Sequence, residues 1–91
     1  MRPVTVYSIE FTKRARRQVL KLDPRLQERV EAAVDSLVHW PVEGKSVRPL
    51  KGQLEGLYRM RVGDYRVILA VYEERGIISV REIGHRGSIY R

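Results

Sequence analysis

Three arginines, Arg59, Arg61 and Arg66, are the residues of this chain whose type and spacing best fit chemistry on an anion. They lie in the run Leu57-Tyr58-Arg59-Met60-Arg61-Val62-Gly63-Asp64-Tyr65-Arg66-Val67-Ile68, where Tyr58, Met60 and Val62 alternate with Arg59 and Arg61. Gly63-Asp64 has the character of a two-residue hairpin turn, because glycine accepts a positive φ and aspartate is common there. Strand side chains alternate between faces, so Arg59 and Arg61 share a face about 7 Å apart. The turn then pairs Val62 with Tyr65 and sets Arg61 directly across from Arg66. Like charges so placed destabilise a sheet. Charge on an exposed strand is often only solvated edge protection. Here the direct opposition, with neither Asp64 nor Glu55 alternating onto that face, points to a phosphate-rich ligand as the counter-ion.

Other chemistries find little support. The chain has no Cys and two His, His39 and His85, which argues against a metal site. It has no Gly-rich phosphate loop and no Ser-His-Asp order. The acidic residues are spread out, and Glu28, Glu31 and Asp35 belong to one helix, so a two-carboxylate mechanism has no basis. No cofactor is expected. What remains is the arginine hairpin, with His85, Arg86 and Tyr90 in the basic tail.

Composition agrees. The 91 residues carry a net charge of +7, with 43% hydrophobic and 32% charged residues, as in a single globular domain spanning 1–91. The positive balance attracts polyanions: RNA, DNA, an anionic membrane surface or an acidic protein. Most of the basic residues are Arg, whose planar group binds phosphate bidentately and stacks on bases. No apolar run reaches the roughly 20 residues of a membrane span, and no signal-peptide core is present, so a cytoplasmic protein is expected.

The elements that must position these residues follow from patterning. Val4 to Ile9 is β-branched and aromatic and predicts a first strand. Thr12 caps a helix whose buried face holds Phe11, Ala15, Val19 and Leu22. Its other face, with Lys13, Arg14, Arg16, Arg17 and Lys21, reads best as a solvated amphipathic surface. Asp23-Pro24 supplies an N-cap and a first-turn proline for a second helix that buries Leu26, Val30, Val34 and Leu37. That helix stops near His39-Trp40, before Pro41. His39 suits a helix C-terminus, and Trp40 reads as a core plug. The short connection makes an antiparallel helical hairpin. Pro41 to Gly56 is expected to be a loop, with Arg48 and Lys51 as further RNA-binding residues. After the arginine hairpin, Ile77, Ile78, Val80 and Ile83 form a last strand that Gly84 ends or bulges. The predicted fold is α+β, in the order β-α-α-β-β-β, with a helical hairpin packed on one face of an antiparallel sheet and the arginine face open.

A family resemblance rests on Leu50-Lys51-Gly52, on Gly56-Leu57-Tyr58-Arg59-Met60-Arg61-Val62-Gly63-Asp64-Tyr65-Arg66-Val67-Ile68, and on Ile83-Gly84-His85-Arg86 with Ile89-Tyr90-Arg91. Together these resemble the RelE/ParE superfamily of toxins, specifically the RelE-like mRNA interferase branch, over essentially the whole chain. The resemblance implies a ribosome-dependent endoribonuclease of a type II toxin–antitoxin system. It is expected to act on translated mRNA and to form a hetero-oligomer with an acidic, RelB-like antitoxin. It implies that Arg59 and Arg61 bind the RNA backbone, that Arg66 stabilises the transition state, and that Arg86 and Tyr90 complete the site. Arg59 and Arg61 match positions that are often lysine elsewhere, so they match in charge rather than identity. The ParE branch, which poisons DNA gyrase without cutting RNA, is the alternative. A basic RNA-binding module without chemistry is a third reading.

The chemistry stands without the family. RNA carries its own nucleophile, the 2′-hydroxyl, so a protein need only deprotonate it, hold it in line and neutralise the phosphorane. Clustered guanidinium groups stabilise the developing phosphoryl charge. They also favour the phenolate of a neighbouring tyrosine, whose ordinary pKa is about 10. Arginine, with a pKa above about 12, is a poor proton donor. His85 is therefore a candidate to protonate the leaving oxygen, and the proton-transfer role is open between Tyr90 and His85.

Overall fold

The computed structural model describes residues 6–41 and 47–85. Strand β1 (Ser8–Phe11) leads into helices α1 (Lys13–Leu20) and α2 (Pro24–Asp35), the latter extended by a 3-10 turn over Ser36–His39. Strands β2 (Val47–Pro49), β3 (Leu57–Val62), β4 (Tyr65–Tyr72) and β5 (Ile77–His85) follow. The helix starts are encoded as expected. Ala15 N–H donates to Thr12 Oγ1 at 3.1 Å, and Leu26 N–H donates to Asp23 Oδ1 at 3.1 Å, with Pro24 in the first turn. Each cap is worth about 1 kcal/mol. Gln27 Nε2 donates to the Leu22 carbonyl at 2.8 Å and closes the corner between the helices.

The five strands form one sheet in the order β1-β5-β4-β3-β2. The helices cover one side of it. Val19, Val30, Val34 and Leu37 pack there against Met60, Val67, Leu69, Ile78 and Val80 in a single buried cluster. Trp40 meets Tyr58 edge-to-face at 4.9 Å on the margin of that core, as a plug.

The expected α+β class and helical hairpin hold, with three differences. The sheet is mixed, because β1 runs parallel to β5 while the other pairs are antiparallel. The first strand is Ser8–Phe11, later than the Val4–Ile9 stretch, whose first two residues lie outside the described residues. Phe11 thus belongs to the strand, where it pairs with Val80, and not to the helix face. Within Pro41 to Gly56 the chain is not wholly a loop. It contributes strand β2 and a 3-10 turn at Gly52–Leu54, so the order becomes β-α-α-β-β-β-β. The cause is non-local, since β2 exists by pairing with β3.

Strand β1 covers the edge of β5 only as far as Val80. Beyond that point α1 takes over. Thr12 Oγ1 donates to the Arg81 carbonyl at 3.2 Å, and Ile83 N–H donates to Gln18 Oε1 at 2.6 Å. Side chains thereby satisfy backbone groups that an unpaired edge would expose. A β-bulge falls in the same place: Ile68 pairs with Glu82 and Leu69 with Val80, leaving Arg81 as the extra residue. No helix among the described residues is long and apolar enough to cross a membrane.

Candidate nucleic-acid interface

The open side of the sheet is built by alternation. On β3, Met60 and Val62 are buried under the helices, so Arg59 and Arg61 face outward. On β4, Val67 and Leu69 are buried in the core, so Arg66 and Ile68 lie on the opposite side of the sheet, Arg66 half-buried and Ile68 buried. Pairing across the Gly63-Asp64 turn is as expected, with Val62 opposite Tyr65 and Arg61 opposite Arg66. Gly63 has a φ of 59°, the left-handed conformation such a turn requires. The added strand supplies a second opposed pair, since Arg48 on β2 is the direct partner of Arg59.

Four guanidinium groups therefore sit on three adjacent strands, within about 10 Å across the sheet and 7 Å along it. Arg48 and Arg61 are exposed, and Arg59 and Arg66 are half-buried. Among the described residues no carboxylate forms an ion pair with Arg48, Arg59 or Arg61. The Arg59 Nε is buried and donates to no acceptor among those residues. A buried donor without an acceptor costs about 1–3 kcal/mol, which an anion's oxygen lying on this face would recover. The neighbour of Arg66 on β5 is Gly84, so no side chain crowds that flank. The arrangement suits a phosphate chain laid across the strands, with Arg66 innermost.

The other expected site residues divide. Lys51 is exposed and precedes the 3-10 turn, off the strand rows. Arg86 and Tyr90 lie outside the described residues. His85 is not brought to the arginine face. It is the sheet partner of Tyr65, which is the partner of Val62, and its ring meets Tyr65 edge-to-face at 5.3 Å. The bulge at Arg81 shifts the alternation of β5 by one, so Ile83 is buried and His85 follows it to the helix side. Sequence reasoning misses the position of Arg48 opposite Arg59 and the open flank at Gly84. A proline at the end of a short strand, Pro49, is the edge-strand signal that hints at the first.

An open sheet face carrying two opposed arginine pairs, backed by a helical hairpin, defines a small basic α+β protein. The chain belongs to the family described as the ParE toxin of the type II toxin–antitoxin system, parDE, whose model matches residues 9–90. It is 35% identical over 86 residues to Toxin RelG of Mycobacterium tuberculosis, covering 93% of this chain and 97% of that protein. Its fold matches the toxin–antitoxin complex RelBE2 of M. tuberculosis with a TM-score of 0.79 and 29% identity, over 89% of this chain and 99% of that one. It also matches the archaeal RelE-RelB complex of Pyrococcus horikoshii with a TM-score of 0.77 and 31% identity, over 91% and 98% of the two chains. The superfamily resemblance drawn from the motifs is borne out.

Proposed function

We propose that this toxin is a ribosome-dependent endoribonuclease that cuts translated mRNA by attack of the RNA's own 2′-hydroxyl, without a metal. The observation that carries the proposal is the pairing of Arg48 with Arg59 and of Arg61 with Arg66 on one open face. Arg48, Arg59 and Arg61 bind the backbone phosphates. Arg66, half-buried, stabilises the charge that develops on the phosphorane. With His85 on the other side of the sheet, Tyr90 is the candidate base, and Arg86 is a further basic residue proposed for the site. Lys51, exposed just after the edge strand β2, serves the same RNA backbone farther out. The face is open, and so orders an isolated strand poorly; the decoding site of the ribosome supplies the ordering. The protein works as one domain in the cytoplasm, where its substrate is.

The partner in this proposal is an acidic antitoxin that lies across the same face and sets Glu or Asp against Arg59, Arg61 or Arg66. The RelE-type structures named above are complexes of toxin with antitoxin, which supports a hetero-oligomer here.

The test is cleavage of mRNA held in the ribosomal decoding site. The expected products end in a 2′,3′-cyclic phosphate and a 5′-hydroxyl, and a single 2′-deoxy substitution at the cut nucleotide stops the reaction. Equal cleavage of free RNA removes the ribosome from the proposal, and cleavage of the deoxy substrate removes the mechanism. Tyr90→Phe keeps the ring and deletes the hydroxyl, with an expected loss of about 10²–10⁴ in rate, the range of general base catalysis. The ParE description of the matched family supports a second reading, a toxin that binds gyrase without cutting RNA. Inhibited supercoiling by purified gyrase with intact mRNA would select it.

A further inference from the structure

Beside the arginine rows the open face holds a cleft of about 310 Å³. Leu54, Leu57 and Ile68 form its apolar floor, and Arg14, Arg81 and Glu82 stand at its rim. Its size lies at the lower end of small-molecule sites, about 300–1,000 Å³. It is continuous with the arginine cluster, because Ile68 is the direct sheet partner of both Arg59 and Glu82. Ile68 also shares its strand face with Arg66, about 7 Å away.

A carboxylate on this face is out of keeping with phosphate binding, since it repels the backbone the arginines attract. Glu82 is nevertheless held there. Its Oε2 lies 3.4 Å from Arg14 Nη2, with the glutamate side chain 29% exposed and the arginine 70%. That distance exceeds the 2.7–2.9 Å of a tight charged hydrogen bond, so Arg14 orients the carboxylate without saturating it.

We propose that this cleft is a base-reading subsite, in which a nucleobase flanking the cut phosphate lies on the apolar floor and presents its hydrogen-bond donors to Glu82. Unstacked RNA bases are read in this way, through apolar or guanidinium stacking and contacts to the Watson–Crick edge. A carboxylate accepts from N–H groups. Guanine presents two adjacent donors, N1–H and the exocyclic amino group, and ranks first. Cytosine and adenine each present one amino group. Uracil flanks its single N–H with two carbonyl oxygens and ranks last. An acidic antitoxin segment suits the cleft less well, because Glu82 would meet like charge. The proposal rests on the ribonuclease reading above.

The experiment compares ribosome-bound mRNAs that differ only by guanine or uracil at each nucleotide flanking the cut. At one flanking position the wild-type protein is expected to cut the guanine message about tenfold or more faster, the discrimination of a good two-point contact. Glu82→Gln removes the carboxylate at nearly constant size, and the half-exposed pair it breaks contributes little to stability. It should bring the ratio below about threefold, with the loss falling on the guanine message. Glu31→Gln, on the exposed side of α2, should keep the wild-type ratio. A ratio unchanged by Glu82→Gln overturns the subsite, and so does a change confined to antitoxin affinity, which would give the cleft to a protein partner. If the wild type cuts neither message, the ribonuclease reading fails by itself. The subsite is then decided by equilibrium binding of short RNAs containing guanine or uracil. A guanine preference abolished by Glu82→Gln sustains it, and equal binding overturns it.

Discussion

The two sides of the sheet differ more than any two regions of the molecule, although they are one residue apart. On β4, Val67 is fully buried beneath the helices, while Arg66 beside it faces outward. The covered side places apolar residues at period two beneath the helices, as a buried sheet face requires. The open side breaks the rule on cross-strand charge twice in adjacent rows. Natural sequences break such rules where function requires it and make up the cost elsewhere. The contrast teaches that the residues that hold the fold together and those that charge the open face alternate along the same strands and can be altered separately.

The strongest way to break that contrast is from the covered side. Leu69 is fully buried, and Leu69→Ala should cost about 2–5 kcal/mol in unfolding free energy, measured by urea denaturation. A cost below about 1 kcal/mol would mean that the core does not lie beneath the helices. From the open side, Arg66→Ala should lower the cleavage rate by about 10²–10³, as does loss of one donor to a developing anion, with a smaller effect on RNA affinity. Its unfolding free energy should fall by far less than that of Leu69→Ala, because Arg66 contributes nothing to the buried apolar cluster. Equal losses in rate and stability would erase the division between the faces. Arg48→Ala and Arg59→Ala should act on binding. Each should lower the slope of log affinity against log salt by about 0.7, the value for one phosphate contact on a single strand. An unchanged slope for Arg48→Ala would take β2 out of the interface. The smallest effect is expected at His85, which shares the helix side with Tyr65. His85→Ala should change the rate by less than about tenfold, short of the 10²–10⁴ of a general acid. A larger loss would return His85 to the chemistry.

Local signals in the chain are legible and non-local ones are not. Thr12, Asp23 and Pro24 mark helix starts through contacts within one turn, and those contacts form. The Gly63-Asp64 turn determines its own register, so the opposition of Arg61 and Arg66 follows from the residue order alone. Strand β2 carries no such signal. Three residues ending in Pro49 show no alternation, and their register against β3 comes from tertiary pairing. Charge and loop composition therefore mark Arg48 only as a candidate for binding, without revealing its place opposite Arg59. The parallel pairing of β1 with β5 joins distant segments, which local pattern cannot reveal. The type of His85 and its place beside the basic tail point to the site, but its face depends on the bulge at Arg81. Strict alternation from Ile78 and Val80 would turn it the other way.

The position of β5 has a consequence for how the molecule is made. The arginine hairpin β3–β4 is local and closes within microseconds, as hairpins do. The strand that seats it, β5, lies in the interior of the sheet between β4 and β1, and Thr12 contacts Arg81 across 69 positions of sequence. Closing so long a loop precedes any return from the contacts it allows, which makes this step the slow one. The arginines can thus be paired early, yet the floor beneath them is finished last. Substitutions in β5, such as Val80→Ala, should then slow folding in stopped-flow measurements, and one that only accelerated unfolding would place the barrier elsewhere. The sheet that carries the arginine face is thus complete only once the early and late segments of the chain have met.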